Sequence, residues 1–292
     1  MLPKGDTEVA RTEWDIETLI VGATFAGIGC ALGERTGALI VDREITVGHE
    51  FLYAYKHGES WSDEGGGPAS PFRMRLLERG LLTEEGRAHL GGVIPALYRL
   101  VKEEKLPVRF LTELVGVEPL DGEAGGYTVT LFDPSGLREL RVRRIADTTS
   151  ACLSKPGFAP AAESPKRINA LLHAPAVGEA AGALGAWPDD GADGYRVERG
   201  RFDSEAYLSV PLSPQDDWAR ARAKLHAFWA SRPEALRGWT LAAVADQFDV
   251  TPARGPIEIG RSWVWLPSAA FPHPLAALNA AAERIIERGE AG

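Results

Sequence analysis

The residues with the clearest chemical meaning lie near the start of the chain. GATFAG, Gly22 to Gly27, has glycines at the first and last positions of a GxGxxG spacing, with Thr24 at the middle one. The β-branched run ETLIVG leading into it reads as a buried strand, and ATFAGIGCALGERTG after it has helical spacing. A turn of this kind needs Gly22 for the bend out of the strand and Gly27 for close packing of helix on sheet. The helix start formed by Ala23, Thr24, Phe25 and Ala26 then presents free N–H groups and a positive dipole end to a pyrophosphate. ALIVD, Ala38 to Asp42, reads as a second buried strand, and its final carboxylate falls at the interval expected for binding ribose hydroxyls. An acid at this position argues against a 2′-phosphate, although Arg43 follows it directly. His49 and His273 are further candidates, because imidazole titrates where proton transfer near neutral pH is useful.

Strand, glycine turn, helix and strand make a βαβ unit, whose crossover is right-handed. Beyond it, residues 56–71 have the Gly, Ser and Pro density of a surface loop. Thr83 reads as a helix cap, and Val93 to Lys105 as a helix with Pro95 near its first turn. Val108–Leu111 reads as a third strand. Leu114–Glu118, Tyr127–Phe132 and Leu140–Ala146 read as short antiparallel strands separated by turns. After Cys152 the chain becomes rich in Ala, Gly and Pro. A strand pair at Tyr195–Glu198 and Ala206–Leu212, an amphipathic helix at Asp216–Trp229 and a helix at Thr240–Phe248 follow. Ser262–Leu266 reads as a strand and Pro274–Arg288 as a terminal helix.

At 292 residues, 45% hydrophobic and 25% charged, the chain is an ordinary globular protein of roughly two domains. Two cysteines, Cys30 and Cys152, make no disulfide framework, and no Cys/His cluster suits a metal. A net charge of −9 opposes nucleic-acid binding. The N-terminus has no signal-peptide core and no run of about 18 apolar residues occurs, so neither export nor a membrane span is expected and a cytoplasmic location is the default.

The order of elements resembles the two-dinucleotide-binding-domain flavoproteins, in particular FAD-dependent oxidoreductases with a GG(T/G)PAG-type turn. Three stretches carry the likeness: VGATFAGIGCALGE with LIVDRE, then FLTELVGVE, then RRIADTTSACL. The resemblance implies FAD, with its pyrophosphate on Gly22–Gly27 and its adenosine ribose on Asp42. It also implies adenine near Leu114 and Val115, and a second fingerprint at Thr148 and Thr149. A fourth stretch, WVWLPSAAFPHP before the terminal helix, is similar in layout to the segment facing the flavin ring and ribityl chain, which adds Ser268 to the cofactor residues. By the same likeness His49 and His273 flank the isoalloxazine and are the catalytic candidates, while Tyr53, Tyr55 and His57 line a substrate pocket. Trp263 and Trp265 read as core.

The implied fold is α/β: a Rossmann-like FAD-binding domain, with a central parallel sheet and β-meander, and an inserted smaller α+β substrate domain. Its parts run over 1–155 and 249–292, with the insert at 156–248. The implied function is an FAD-dependent oxidoreductase acting on a small molecule. No second GxGxxG provides for bound NAD(P)H, so electrons come from the substrate, a partner protein or a transient nicotinamide. Two alternatives stand beside it: an NAD-dependent dehydrogenase, and a degenerate flavoprotein fold acting as a binding or assembly subunit. The departures at Thr24, at Ser150 and in the C-terminal stretch motivate the latter. No GxSxG elbow or GxxxxGK[ST] loop supports hydrolysis or phosphoryl transfer.

Overall fold

The computed structural model describes residues 15–34, 36–61, 66–120, 125–158, 164–175, 194–252 and 256–290. The central sheet is built on β1 (Ile16–Val21), which pairs in parallel with β2 (Ala38–Val41) on one side and with β6 (Gly136–Asp147) on the other. β3 (Val108–Arg109) extends it beyond β2, and β13 (Trp263–Trp265) beyond β6, both in parallel. β12 (Ile257–Gly260) closes that edge antiparallel. β4 (Glu113–Pro119) and β5 (Tyr127–Asp133) form an antiparallel meander with β6.

β1 and β2 are apolar throughout because both sheet faces are covered. Ile20 and Ile40 point into a core shared with α1 (Phe25–Glu34), α3 (Ala69–Glu78), α4 (Leu90–Glu103) and the C-terminal helix, Pro274–Glu290. Leu19, Val21, Leu39 and Val41 point the other way, onto Val129, Leu131 and Val142 of the meander. α1 meets the C-terminal helix at backbone distance. A Cβ on Gly29 would lie 2.1 Å from the Leu278 carbonyl oxygen, so only glycine fits there.

A second sheet is wholly antiparallel. Its order is β10 (Thr240–Val244), β7 (Lys166–His173), β9 (Glu205–Leu212) and β8 (Arg196–Arg199), with β11 (Asp249–Val250) also on β7. The helix Trp218–Ala230 covers it with Ala221 and Leu225, and the Asp217 carboxylate caps that helix on the Arg220 N–H. The parallel sheet with its meander, and the smaller α+β layer beside it, agree with the sequence reading.

Several local expectations are corrected. Thr240–Phe248 is not helix: Thr240–Val244 is strand, paired with Ala170–His173, and beyond it the Ala245 N–H donates to Asn169 O. A short Ala-rich run is ambiguous between the two states, and the open edge of β7 decides it. Of the segment 56–71, residues 62–65 lie outside the described residues, and the rest is no simple surface loop. Trp61 is fully buried, its indole N–H on His57 O, and α3 starts at Ala69, with Pro71 in the first turn where its missing N–H costs little. Thr83 caps no helix; it sits in a turn closed by the Leu82–Ala88 bridge. α4 begins three residues earlier than expected, so Pro95 lies inside it. β7, an inner strand of the second sheet, has no clear signal in the sequence because RINALL reads equally as helix.

Candidate functional site

Gly22 has φ +102°, a conformation that favours glycine, and a Cβ on Gly27 would fall 2.0 Å from Gly22 O. The strand-to-helix turn therefore forms as its glycines require. What surrounds it differs from an open phosphate cradle. Ala23, Thr24, Phe25 and Ala26 have no solvent exposure. The Ala23 N–H donates to Asp42 Oδ2 (2.6 Å), the Ala26 N–H to Ser268 Oγ (3.2 Å) and the Gly27 N–H to Thr24 Oγ1 (3.0 Å). The Thr24 hydroxyl donates in turn to Thr148 Oγ1, at 2.8 Å, and the Gly48 N–H donates to Ala23 O at 2.7 Å. Protein oxygens occupy three amides of the helix start.

Asp42 stands where the spacing places it, at the end of β2. Its carboxylate is 3% exposed as a residue and bonds the Ala23 and Glu44 N–H groups. His49 opens the short helix α2 (His49–Leu52), and its Nδ1 lies 3.6 Å from Asp42 Oδ2, beyond hydrogen-bond range and without another partner. Glu50 beside it accepts the Ser150 N–H at 2.6 Å, and burial raises its pKa. Asp42, Arg43, His49, Glu50, Thr149 and Ser150 line a cavity of about 190 Å³, together with Phe248 and with Val250 of the second sheet. The fold thus gathers Asp42, Arg43, His49 and Thr149 at one place.

The other expected residues have mainly structural partners. Thr148 Oγ1 bonds Val21 O and Gly22 O, and the Ser268 N–H bonds Thr148 O. Leu114 is partly buried in the meander core and Val115 is 53% exposed. His273 Nδ1 accepts the Ala276 N–H, capping the C-terminal helix, and His273 lines neither cavity described here. Trp265 is buried with its indole N–H on Thr149 O, and Trp263 stacks edge-on against Tyr127. Cys152 is buried, and desolvation, followed by the Asp147 charge, pushes its thiol up to about 12, far from a reactive thiolate. Among the described residues no group of three His, Cys, Asp or Glu could hold a metal ion, and no helix is long and apolar enough to cross a membrane.

A second cavity, of about 220 Å³, lies between the Tyr55–Gly58 segment and the second sheet. Tyr55 and His57 line it, with Lys56, Arg167, Asn169, Arg196, Glu198, Tyr207 and Asp249. Tyr55 has φ +46°, which for a bulky side chain costs on the order of 1–3 kcal/mol, and its ring lies 6.2 Å from that of Tyr207. His57 Nε2 accepts the Ala88 N–H (2.9 Å), so its proton sits on Nδ1, which faces Gly58 O and the Glu198 carboxylate. Burial lowers the His57 pKa, keeping the ring neutral at pH 7. Lys56 Nζ donates to Thr251 Oγ1 and Ala269 O and lies 3.3 Å from Asp249 Oδ1. Nothing in the local sequence pattern singles out the basic and acidic members on β7, β8 and β11. Their approach to Tyr55–His57 depends on a sheet whose central strand has no clear signal of its own.

No protein-family model matches the chain, and no curated protein matches it. Solved structures do. Aklavinone-11 hydroxylase, crystallised with FAD and aklavinone, aligns over 96% of this chain and 62% of its own, at 14% identity and TM-score 0.51. p-Nitrophenol 4-monooxygenase PnpA from Pseudomonas putida DLL-E4 aligns over 94% and 79%, at 14% identity and TM-score 0.56. A flavoprotein/dehydrogenase from Cytophaga hutchinsonii aligns over 94% and 79%, at 12% identity and TM-score 0.54. The chain spans about three fifths of the length of aklavinone-11 hydroxylase. Identities this low speak to architecture alone. Taken with the parallel sheet, the meander and the glycine turn, they give this chain the α/β fold of the FAD-binding flavoproteins.

Proposed function

We propose that this chain is an FAD-dependent oxidoreductase acting on a small molecule. The observation that carries the reading is the βαβ turn, with its positive-φ Gly22, close-packed Gly27 and strand-end Asp42, set in a fold shared with a hydroxylase that binds FAD. When bound, FAD would supply the hydride or oxygen-transfer chemistry that side chains lack.

The residues are of the right kind for a dinucleotide, and as they stand the turn is held closed by protein oxygens. Asp42, Ser268 and the Thr24 hydroxyl already hold the amides that a pyrophosphate would use, and Thr24 takes the space of a glycine. The chain's own groups offer a cavity between the Tyr55–Gly58 segment and the second sheet, a neutral His57 with its proton on Nδ1, and cationic side chains beside it. On this reading flavin uptake requires Asp42 and Ser268 to release the turn.

The filled turn favours one second reading: a flavin-free member of the fold that binds a small ligand without redox chemistry. Titration with FAD, followed by flavin fluorescence, separates the two. Uptake by the wild type that is lost in Gly22→Val supports the oxidoreductase. Absence of uptake by the wild type selects the binding protein.

A further inference from the structure

We propose that the cavity between the Tyr55–Gly58 segment and the second sheet binds a small organic acid that also carries an N–H or O–H donor. The inference goes beyond the flavin reading and does not depend on it. The chain as a whole carries a net charge of −9, yet this cavity is lined by Lys56, Arg167 and Arg196 against Glu198 and Asp249. Asp249 is engaged by Lys56 at 3.3 Å. Arg167 has the Arg196 charge beside it, and desolvation first, then that like charge, lower its pKa. Burial and the Asp249 charge raise Glu198 to about 7, so at neutral pH it covers only part of this positive charge. Two neighbouring guanidinium groups at a cavity are suited to a carboxylate, which accepts their planar donors in pairs.

Asn169 supplies the second requirement. It is 2% exposed, lines the cavity, and its Oδ1 has no hydrogen-bond partner. The amide cannot simply be turned over. Its Nδ2 faces Ala54 O at 2.8 Å, Tyr55 O at 3.4 Å and Asp249 Oδ2 at 3.5 Å, all of them acceptors. Oδ1 is thus held as a buried acceptor without a donor, a costly state that a ligand N–H or O–H relieves. The volume, about seven waters at ~30 Å³ each, sets the ligand's size, and the Tyr55 and Tyr207 rings offer it an apolar wall.

Lactate, malate and mandelate are the probes, each beside the acid lacking its hydroxyl (propionate, succinate, phenylacetate) and beside its amide. Binding is read by calorimetry and by the shift in melting temperature, on protein stripped of flavin. FAD uptake is followed separately by absorbance, so either reading can fail alone. At least one hydroxy acid should bind. Its deoxy partner should bind about tenfold more weakly, and its amide should not bind measurably. Arg196→Gln, at an exposed position, should leave folding intact and weaken the acid about tenfold or more. Arg167→Gln should do the same. Amides that bind as well as acids, an Arg196→Gln variant that binds unchanged, or no binding by any probe would each overturn the proposal.

Discussion

Asp42 concentrates the question at the scale of single residues. Its carboxylate holds two N–H groups, one of them fully buried, and hydrogen bonds to a charged partner each contribute on the order of 1.5–3 kcal/mol. Asp42→Ala should therefore destabilise the fold by about 2–3 kcal/mol in urea titrations even without flavin. A loss below about 0.5 kcal/mol would mean that the turn does not rely on this cap. Glu198 gives a pH prediction. Its folded pKa of about 7 lies above the ordinary 4.5, with Asp249, Arg167, Arg196, Lys56 and His57 around it. In that window the folded state holds more protons than the unfolded, so stability falls as pH rises from about 4.5 to about 7. Glu198→Gln should flatten that part of the profile of melting temperature against pH, and an unchanged slope would remove Glu198 as its source. The type and place of Asp42 were readable from spacing. Its bond to Ala23 was not, because nothing in a strand-end acid says whether it will face a ribose or its own chain.

Between elements, the closest fit is α1 against the C-terminal helix. In an exposed helix Gly→Ala gains about 1 kcal/mol. At Gly29 the added methyl would meet the Leu278 carbonyl at 2.1 Å, and overpacking of this kind costs about 1–3 kcal/mol, so the net sign reverses. Gly91→Ala on α4 is the matched control. Only the His89 ring lies near its Cβ, at 3.6 Å, and it should be neutral or stabilising by up to about 1 kcal/mol. Thermal unfolding of both variants checks the pair, and equal effects would contradict this packing. Elements with a full period of their own were legible: β1, α1, β2 and the helix Trp218–Ala230. Those fixed by partners were not. β10 becomes strand because β7 offers an edge, and α3 survives a Gly- and Pro-rich stretch because Asn279 Oδ1 accepts its first N–H.

For the whole molecule, two sheets are tied together around the Tyr53–His57 segment. Asn169 Nδ2 reaches Ala54 O, Asp246 and Gln247 donate to Tyr53 O, and Lys56 bridges to Thr251 and Ala269. These long-range bonds make the cavity between the Tyr55–Gly58 segment and the second sheet, which local pattern therefore does not reveal, whereas the Rossmann-like half is legible from it. The same architecture carries FAD in aklavinone-11 hydroxylase, whereas here the glycine turn is occupied by its own side chains. The most direct measurement is the absorption spectrum of the purified protein, before and after added FAD, with heat release of whatever is bound. An FAD-dependent oxidoreductase should show flavin bands and release FAD. A protein that stays colourless and takes up no FAD would contradict that account and leave the fold as a flavin-free binder of small molecules.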